Sequence, residues 1–119
     1  MDVLYCAGWF KAGKGRARPV VYNRKADGTY ENNGVIGTVN SANYEFLSVT
    51  LTITSCYATN YSYVRQDIYN EAGSINYAGN GENISFKKLF VINLTKAGKT
   101  KAEMDAIVQS NGYFESISI

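Results

Sequence analysis

The chain has 119 residues, a formal net charge of +2 and 45% hydrophobic residues, which fits one folded domain over residues 1–119. It has no histidine and only two cysteines, so the commonest general base is missing and the cysteines cannot form a zinc site alone. We therefore predict that the protein is not an enzyme, needs no metal or cofactor, and keeps both cysteines as free thiols.

The first part of the chain predicts a β-hairpin over residues 3–24. Val3–Phe10 reads as a strand, Lys11–Arg16 as a glycine-rich loop and Arg18–Arg24 as the returning strand. Residues 11–25 carry half of the 12 basic residues, with no acidic residue between positions 2 and 27. Such a cluster is most often a solubilising surface, but it also fits a surface that faces a phosphate-bearing ligand.

Residues 29–94 predict an antiparallel sheet. In the clearest strand, Leu47–Thr54, apolar residues alternate with hydroxyl residues, so the two kinds of side chain occupy opposite faces. The next strand, Tyr61–Asn70, places Tyr63 and Arg65 on one face. If these two strands pair, hydroxyls, a tyrosine and an arginine share one face, which suits RNA binding, although an ordinary exposed sheet face has the same composition.

The spacing of apolar residues changes after the last strand from every second residue to a helical spacing, and residues 100–111 predict one short helix. Thr100 and Glu103 form a capping-box pattern, and Asn111 begins a left-handed stop. The preceding segment Asn93–Thr100 nearly matches a phosphate-binding P-loop, but its first glycine is an asparagine, so a capped strand-to-helix loop explains it better. The tail, residues 113–119, is an edge strand or an extended arm.

One short helix is too small to cover the apolar face of the predicted sheet. Leu47, Val49, Leu51 and Ile53 share that face. We therefore expect a second copy of the chain to cover it. The N-terminal residues do not resemble a signal peptide, no stretch is long enough to span a membrane, and we expect neither a membrane partner nor a small-molecule substrate.

The ordered set of motifs resembles the coat proteins of single-stranded RNA bacteriophages. The motifs are the Gly13–Gly15 tip, the strand Val20–Arg24, the Asn33–Val35 turn, the alternating strand and the capped helix. The resemblance implies an α+β fold with an N-terminal hairpin, a five-stranded antiparallel sheet and a C-terminal helix. It also implies a homodimer that assembles into an icosahedral capsid around single-stranded RNA, in virions assembled in the bacterial cytoplasm.

The same resemblance implies two groups of functional residues. An RNA hairpin that serves as packaging signal or translational repressor would contact the sheet face at Ser48, Thr50, Thr52, Thr54, Tyr63, Arg65 and Lys87. The loop over residues 71–83 would pack between dimers through Gly73, Tyr77, Gly79 and Gly81. Ser48 stands where the family often has a basic residue, which favours less specific packaging contacts over tight binding of one hairpin.

Two other classes of protein fit the composition. A single-stranded nucleic-acid-binding module of another fold, such as an OB-fold barrel, would share the tyrosine-rich sheet and the basic loops. A secreted carbohydrate-binding β domain is less consistent with the basic N-terminal region.

Overall fold

A computed structural model of the chain describes residues 1–59, 62–74 and 81–111. Within these ranges the chain forms six strands and two helices. In chain order they are β1 (Val3–Lys14), β2 (Arg16–Arg24), β3 (Tyr30–Gly34), β4 (Glu45–Thr52), β5 (Ser62–Tyr69), β6 (Asn83–Asn93), α1 (Leu94–Ala97) and α2 (Lys101–Asn111).

The described strands form two three-stranded antiparallel sheets. The first sheet has the order β4–β1–β6 and the second has the order β3–β2–β5. Helix α2 packs on the outer side of the first sheet, so the layers run helix, sheet, sheet. The predicted α+β class with a C-terminal helix is confirmed, whereas the single five-stranded sheet is replaced by two smaller sheets.

The predicted N-terminal hairpin is not observed, because β1 and β2 belong to different sheets. Strand β1 continues through the segment predicted as a loop, and only Gly15, with φ of 87°, separates it from β2. Phe10, Ala12 and Ala17 are fully or almost fully buried on either side of this turn. The two strands therefore pack face to face through buried side chains, and each forms its hydrogen bonds with strands from later in the chain.

The core between the two sheets explains why a partner chain is not needed as cover. It is built from residues of β1, β2 and β4 and of the segment after β4, namely Cys6, Val21, Val49, Leu51 and Ile53. Burial of one such aliphatic side chain is worth about 1.5–3 kcal/mol. The apolar face of β4 is therefore covered by the second sheet of the same chain. Both cysteines are free, with Cys6 buried and Cys56 exposed.

A second core lies between the first sheet and α2. It contains Tyr5, Ala7, Leu94, Met104 and Val108. The Tyr5 hydroxyl donates a 2.7 Å hydrogen bond to Asp105, and Lys101 forms a 2.9 Å ion pair with the same carboxylate. Burial raises the pKa of Tyr5. Burial also opposes ionisation of Asp105, but hydrogen bonds from its neighbours lower its pKa below the ordinary value.

Strand β6 contains a β-bulge where it pairs with β1. Ala7 pairs with Phe90 but Trp9 pairs with Lys87, and Lys88, inside the bulge, has φ of 54°. The additional residue shifts the alternation of the strand. As a result, Phe90 and Lys87 both point to the side of the first sheet that carries α2.

The capping box predicted at the start of α2 is confirmed. The Thr100 N–H donates to Glu103 Oε1 at 3.0 Å, and the Glu103 N–H donates to Thr100 Oγ1 at 3.1 Å. Asn93 caps α1, and Gly98 ends it in the left-handed conformation. The sequence that nearly matches a P-loop is therefore the single turn of α1, followed by a short linker that ends in Thr100, the residue that caps α2.

The predicted tail, residues 113–119, lies outside the described residues. Among the residues that the structure describes, no helix is both long enough and apolar enough to cross a membrane.

Candidate nucleic-acid interface

The outer side of the second sheet carries tyrosine and arginine side chains from all three of its strands. Directly paired residues of antiparallel strands point to the same side, and here Tyr22 pairs with Tyr63 while Arg24 pairs with Tyr30. Because Val21 and Val64 point into the core, their neighbours point outward. We call this surface the Tyr–Arg face; it comprises Arg18, Tyr22, Arg24, Tyr30, Tyr63, Arg65 and Tyr69.

Three of its tyrosine rings are in contact with one another. The rings of Tyr22 and Tyr63 stack with centroids 5.0 Å apart and planes 3° apart. Tyr30 meets Tyr63 edge-on at 6.3 Å and 75°. Tyr30 and Tyr63 are 46% and 38% exposed, respectively. The face therefore presents preorganised aromatic surface to solvent, which a planar ligand group can stack on.

Guanidinium groups extend this aromatic row at both ends. Arg65 lies with its Cζ 4.6 Å from the Tyr22 ring centroid, and its Nη2 donates a hydrogen bond to the Tyr22 hydroxyl. At the other end, Arg24 Cζ lies 3.9 Å from the Tyr57 ring and 5.9 Å from the Tyr30 ring. Each such contact is worth about 0.5–1 kcal/mol at an exposed site, and together they fix where the positive charges stand.

One carboxylate, Asp67, organises the arginines at the far end of the face. It accepts from Arg65 Nε at 2.6 Å and from Arg18 Nη1 at 3.2 Å. The hydrogen bond with Asp67 raises the pKa of Arg65, which therefore stays charged. Arg18 also lies across Gly34, where an added side-chain carbon would come within 2.6 Å of the guanidinium carbon. Glycine at this position thus gives the Arg18 guanidinium its space.

The predicted RNA-binding residues do not converge. Tyr63 and Arg65 lie on the Tyr–Arg face, but the expected pairing of β4 with β5 is wrong because these strands belong to different sheets. Thr52, Thr50 and Ser48 pair with Val3, Tyr5 and Ala7 and so point to the side of the first sheet that carries α2.

The hydroxyl groups of β4 have contacts near α2 instead. Ser48 Oγ accepts a 2.9 Å hydrogen bond from Lys101 Nζ. Thr50 lines a small cavity together with residues of the linker and the first turn of α2, including Lys99. The alternation of apolar and hydroxyl residues along β4 was predicted correctly. The hydroxyl residues, however, lie on the side of the first sheet that carries α2, and not on the Tyr–Arg face.

Thr54 has a structural contact in place of the predicted RNA contact. Its Oγ1 donates to Glu31 Oε2 at 2.7 Å, while the buried Asn23 donates from Nδ2 to Glu31 Oε1 at 2.9 Å. Burial opposes ionisation of Glu31, but the hydrogen bonds from Thr54 and Asn23 lower its pKa. This network ties β3 to β2 and to the segment after β4.

Lys87 also lies away from the Tyr–Arg face, and the predicted inter-dimer loop falls only in part within the described residues. Lys87 is on β6 in the first sheet, with its Nζ 4.4 Å from the Tyr44 ring centroid. Gly73 and Gly81 have φ of 86° and 83°, a backbone conformation that glycine adopts more readily than other residues. Tyr77 and Gly79 lie outside the described residues.

The sequence alone did not show that the basic cluster and the Tyr63–Arg65 strand form one surface. Arg18 and Arg24 had been assigned to an anion-facing cluster, and Tyr22 lies between them at the right spacing for the same strand face. Only the pairing of β2 with β5 joins the two groups. The alternation Arg18–Val20–Tyr22–Arg24 was the available signal.

The Tyr–Arg face is suited to binding, since its side chains offer stacking surface and fixed positive charge. No group of three potential metal ligands occurs among the described residues. Comparison of the chain with protein-family models, with curated proteins and with solved structures found no match.

Proposed function

We propose that this protein binds single-stranded RNA through the Tyr–Arg face. The observation that carries the proposal is the row in which Arg65, Tyr22, Tyr63 and Tyr30 follow one another in contact, with Arg24 at its end. Aromatic rings stack on unpaired bases, and arginines both stack and contact phosphates. Stacking surface and positive charge thus alternate along one strip of the sheet.

The charge of the face favours a polyanion over a neutral sugar. Within the described part of the chain, its arginines form ion pairs with only one carboxylate, Asp67, and Arg24 forms none. A carbohydrate site would use the same tyrosines but gain little from these guanidinium groups. Unpaired bases are also accessible to side chains in a way that bases within an RNA duplex are not. A single strand of RNA can therefore use both the aromatic stacking surface and the positive charge of the Tyr–Arg face.

Direct titration tests this proposal. A fluorescein-labelled oligouridine of about 12 nucleotides suits the usual site size of single-strand-binding domains. We expect the wild-type chain to bind it, the double variant Tyr22→Ala/Arg65→Gln to bind much more weakly, and Lys96→Gln, a charge-matched change on α1, to bind as the wild type does. Equal affinity of all three proteins would refute the proposed surface. Tighter binding of neutral oligosaccharides than of RNA would favour the carbohydrate alternative.

The second candidate function is the virion coat protein that the order of sequence motifs suggests. Its support in the structure is the β6 edge of the first sheet, where Phe86 and Val91 are 51% and 41% exposed. Exposed apolar side chains on a strand at the edge of the described sheet favour contact between copies of a chain. In this proposal the chain dimerises, dimers build an icosahedral shell, and the Tyr–Arg face contacts the enclosed RNA.

Expression of the chain alone in bacteria tests the coat function. The products are separated by size-exclusion chromatography, imaged by negative-stain microscopy and examined for the ratio of nucleic-acid to protein absorbance. Uniform RNA-containing shells would support the coat function. A monomer or dimer that still binds RNA would exclude self-assembly under these conditions and leave an RNA-binding module.

A further inference from the structure

We propose that Lys11, Tyr44 and Lys87 form a second site for a phosphodiester backbone, on the opposite outer side of the two sheets from the Tyr–Arg face. The inference extends the proposed function, because it makes each chain able to hold two segments of single-stranded RNA. We call the three residues the lysine site.

The strands of the first sheet bring these residues together. Lys11 lies on the central strand and pairs with Ser85, while Trp9, on the same side, pairs with Lys87. Tyr44 immediately precedes β4, beside the end of the pairing between β1 and β4. The Nζ atoms of Lys11 and Lys87 lie 5.1 and 4.4 Å from the Tyr44 ring centroid. Two ammonium groups from different strands thus converge on one ring.

The convergence of like charges is the reason to infer an anion site. The two ammonium groups held at the Tyr44 ring repel each other, and attraction to one exposed ring compensates for this only modestly. No carboxylate of the described residues lies within ion-pair distance of Lys11 or Lys87. Lys88 adds a third positive charge nearby, with its Nζ 5.5 Å from the Trp9 ring. A phosphate between the two lysines relieves the repulsion, and Tyr44, 37% exposed, is available to the adjoining base.

The two surfaces lie on opposite sides of the molecule. Side chains of the lysine site point to the α2 side of the first sheet, whereas the Tyr–Arg face points away from it on the second sheet. Two buried layers of strands separate them, and packed sheets lie about 10 Å apart. A short oligonucleotide bound at one surface therefore leaves the other surface open to a second oligonucleotide.

Binding stoichiometry tests the inference. The probe is a single-stranded oligouridine of about 6 nucleotides, near the lower end of known site sizes. Calorimetric titration should give two oligonucleotides per wild-type chain and one per Lys11→Gln/Lys87→Gln chain. The charge-matched control Lys96→Gln/Lys99→Gln, outside both surfaces, should still bind two. A mixture of donor- and acceptor-labelled oligonucleotides should give energy transfer with the wild type and the control only. One oligonucleotide per wild-type chain, or two per Lys11→Gln/Lys87→Gln chain, would overturn the inference.

The outcomes separate this inference from the proposed function. Binding that is lost with Tyr22→Ala/Arg65→Gln but unchanged in the lysine variant overturns the lysine site and leaves the Tyr–Arg face standing. Binding that depends on the lysines alone supports the lysine site and refutes the proposed function. Inorganic phosphate is titrated in parallel. If phosphate saturates the lysine site and the oligonucleotide does not compete with it, the assignment of this site to nucleic acid is overturned.

Discussion

Tyr22 and Tyr63 stack almost in parallel on the outer side of the second sheet, and they are directly paired residues of β2 and β5. The strand pairing fixes their separation before any ligand arrives. Rings that are already held in place lose little conformational entropy on binding. The stack is therefore the part of the surface on which single substitutions are most informative.

Replacement of Tyr63 with alanine should weaken binding of single-stranded RNA by about 1–3 kcal/mol, the usual loss for one stacked base. Tyr63→Phe keeps the ring and should bind nearly as well as the wild type. Fluorescence anisotropy with a labelled oligouridine measures both affinities, and thermal unfolding verifies that each variant is folded. An affinity for Tyr63→Ala within the error of the wild type would remove this ring from the binding surface.

Loss of one arginine should change the salt dependence of binding. Each phosphate contact contributes about 0.7 to the slope of log K against log salt for a single strand. Arg24→Gln should therefore reduce the slope by about that amount, because its guanidinium is available to a phosphate. Titrations at several salt concentrations measure the slope. Tyr63→Ala is the control, since it should lower the affinity and leave the slope unchanged; an unchanged slope in Arg24→Gln would exclude a phosphate contact there.

Asp67→Asn should strengthen RNA binding at low salt. Among the described residues, Asp67 is the only carboxylate that contacts Arg18 and Arg65, so the substitution raises the net positive charge of the Tyr–Arg face. Partly exposed ion pairs contribute about 0–1 kcal/mol, so the variant should remain folded with a small decrease in stability. Affinity and denaturant unfolding are the two measurements. Weaker binding by a folded Asp67→Asn protein would mean that the carboxylate's main role is to position the guanidinium groups.

The ion pair and hydrogen bonds of Asp105 should make the fold less stable in acid. Because the pKa of Asp105 is lower in the folded chain, the unfolded chain binds more protons as the pH falls through the ordinary range of an aspartate, near pH 4. The free energy of unfolding should therefore decrease on acidification, and less steeply in Asp105→Asn. Denaturant unfolding at a series of pH values measures this slope. Tyr5→Phe, which removes one donor to the carboxylate, should give an intermediate slope; identical slopes in all three proteins would contradict the assignment.

Thr100→Ala should destabilise α2 by about 1 kcal/mol through loss of the capping box. Thr100→Ser keeps the hydroxyl that accepts from the Glu103 N–H and should behave as the wild type does. Chemical denaturation gives the difference in the free energy of unfolding. RNA affinity should be unchanged in both variants, since the cap lies on the opposite side of the molecule from the Tyr–Arg face.

Local features of the fold were predictable from the sequence, and its long-range pairing was not. The alternation of β4 and the cap at Thr100 depend on neighbouring residues, and both are confirmed. The choice of partner strands depends on contacts between distant segments. Gly15 was predicted within a hairpin loop, yet the same residue equally permits the change from one sheet to the other that the structure has.

The candidate site was predicted in pieces for the same reason. Tyr63 and Arg65 were assigned to RNA binding and Arg18 and Arg24 to an anion-facing cluster, but the strand of Tyr63 was expected to pair with β4 and pairs with β2. The hydroxyl residues of β4 were therefore placed on the RNA-binding face. Their alternation with apolar residues is a property of one strand and carries no information about which layer covers each face.

The bulge at Lys88 makes the lysine site depend on the register of β6 as well as on side-chain identity. If β6 kept all its residues but paired with β1 without the bulge, Lys88 would stand opposite Trp9, and the segment before it would shift by one residue against β1. Phe86 would then emerge beside Tyr44, and Lys87 would be directed between the sheets, where an unpaired charge is costly. One residue that takes no part in regular pairing thus keeps a cation outside and a phenylalanine next to Phe10.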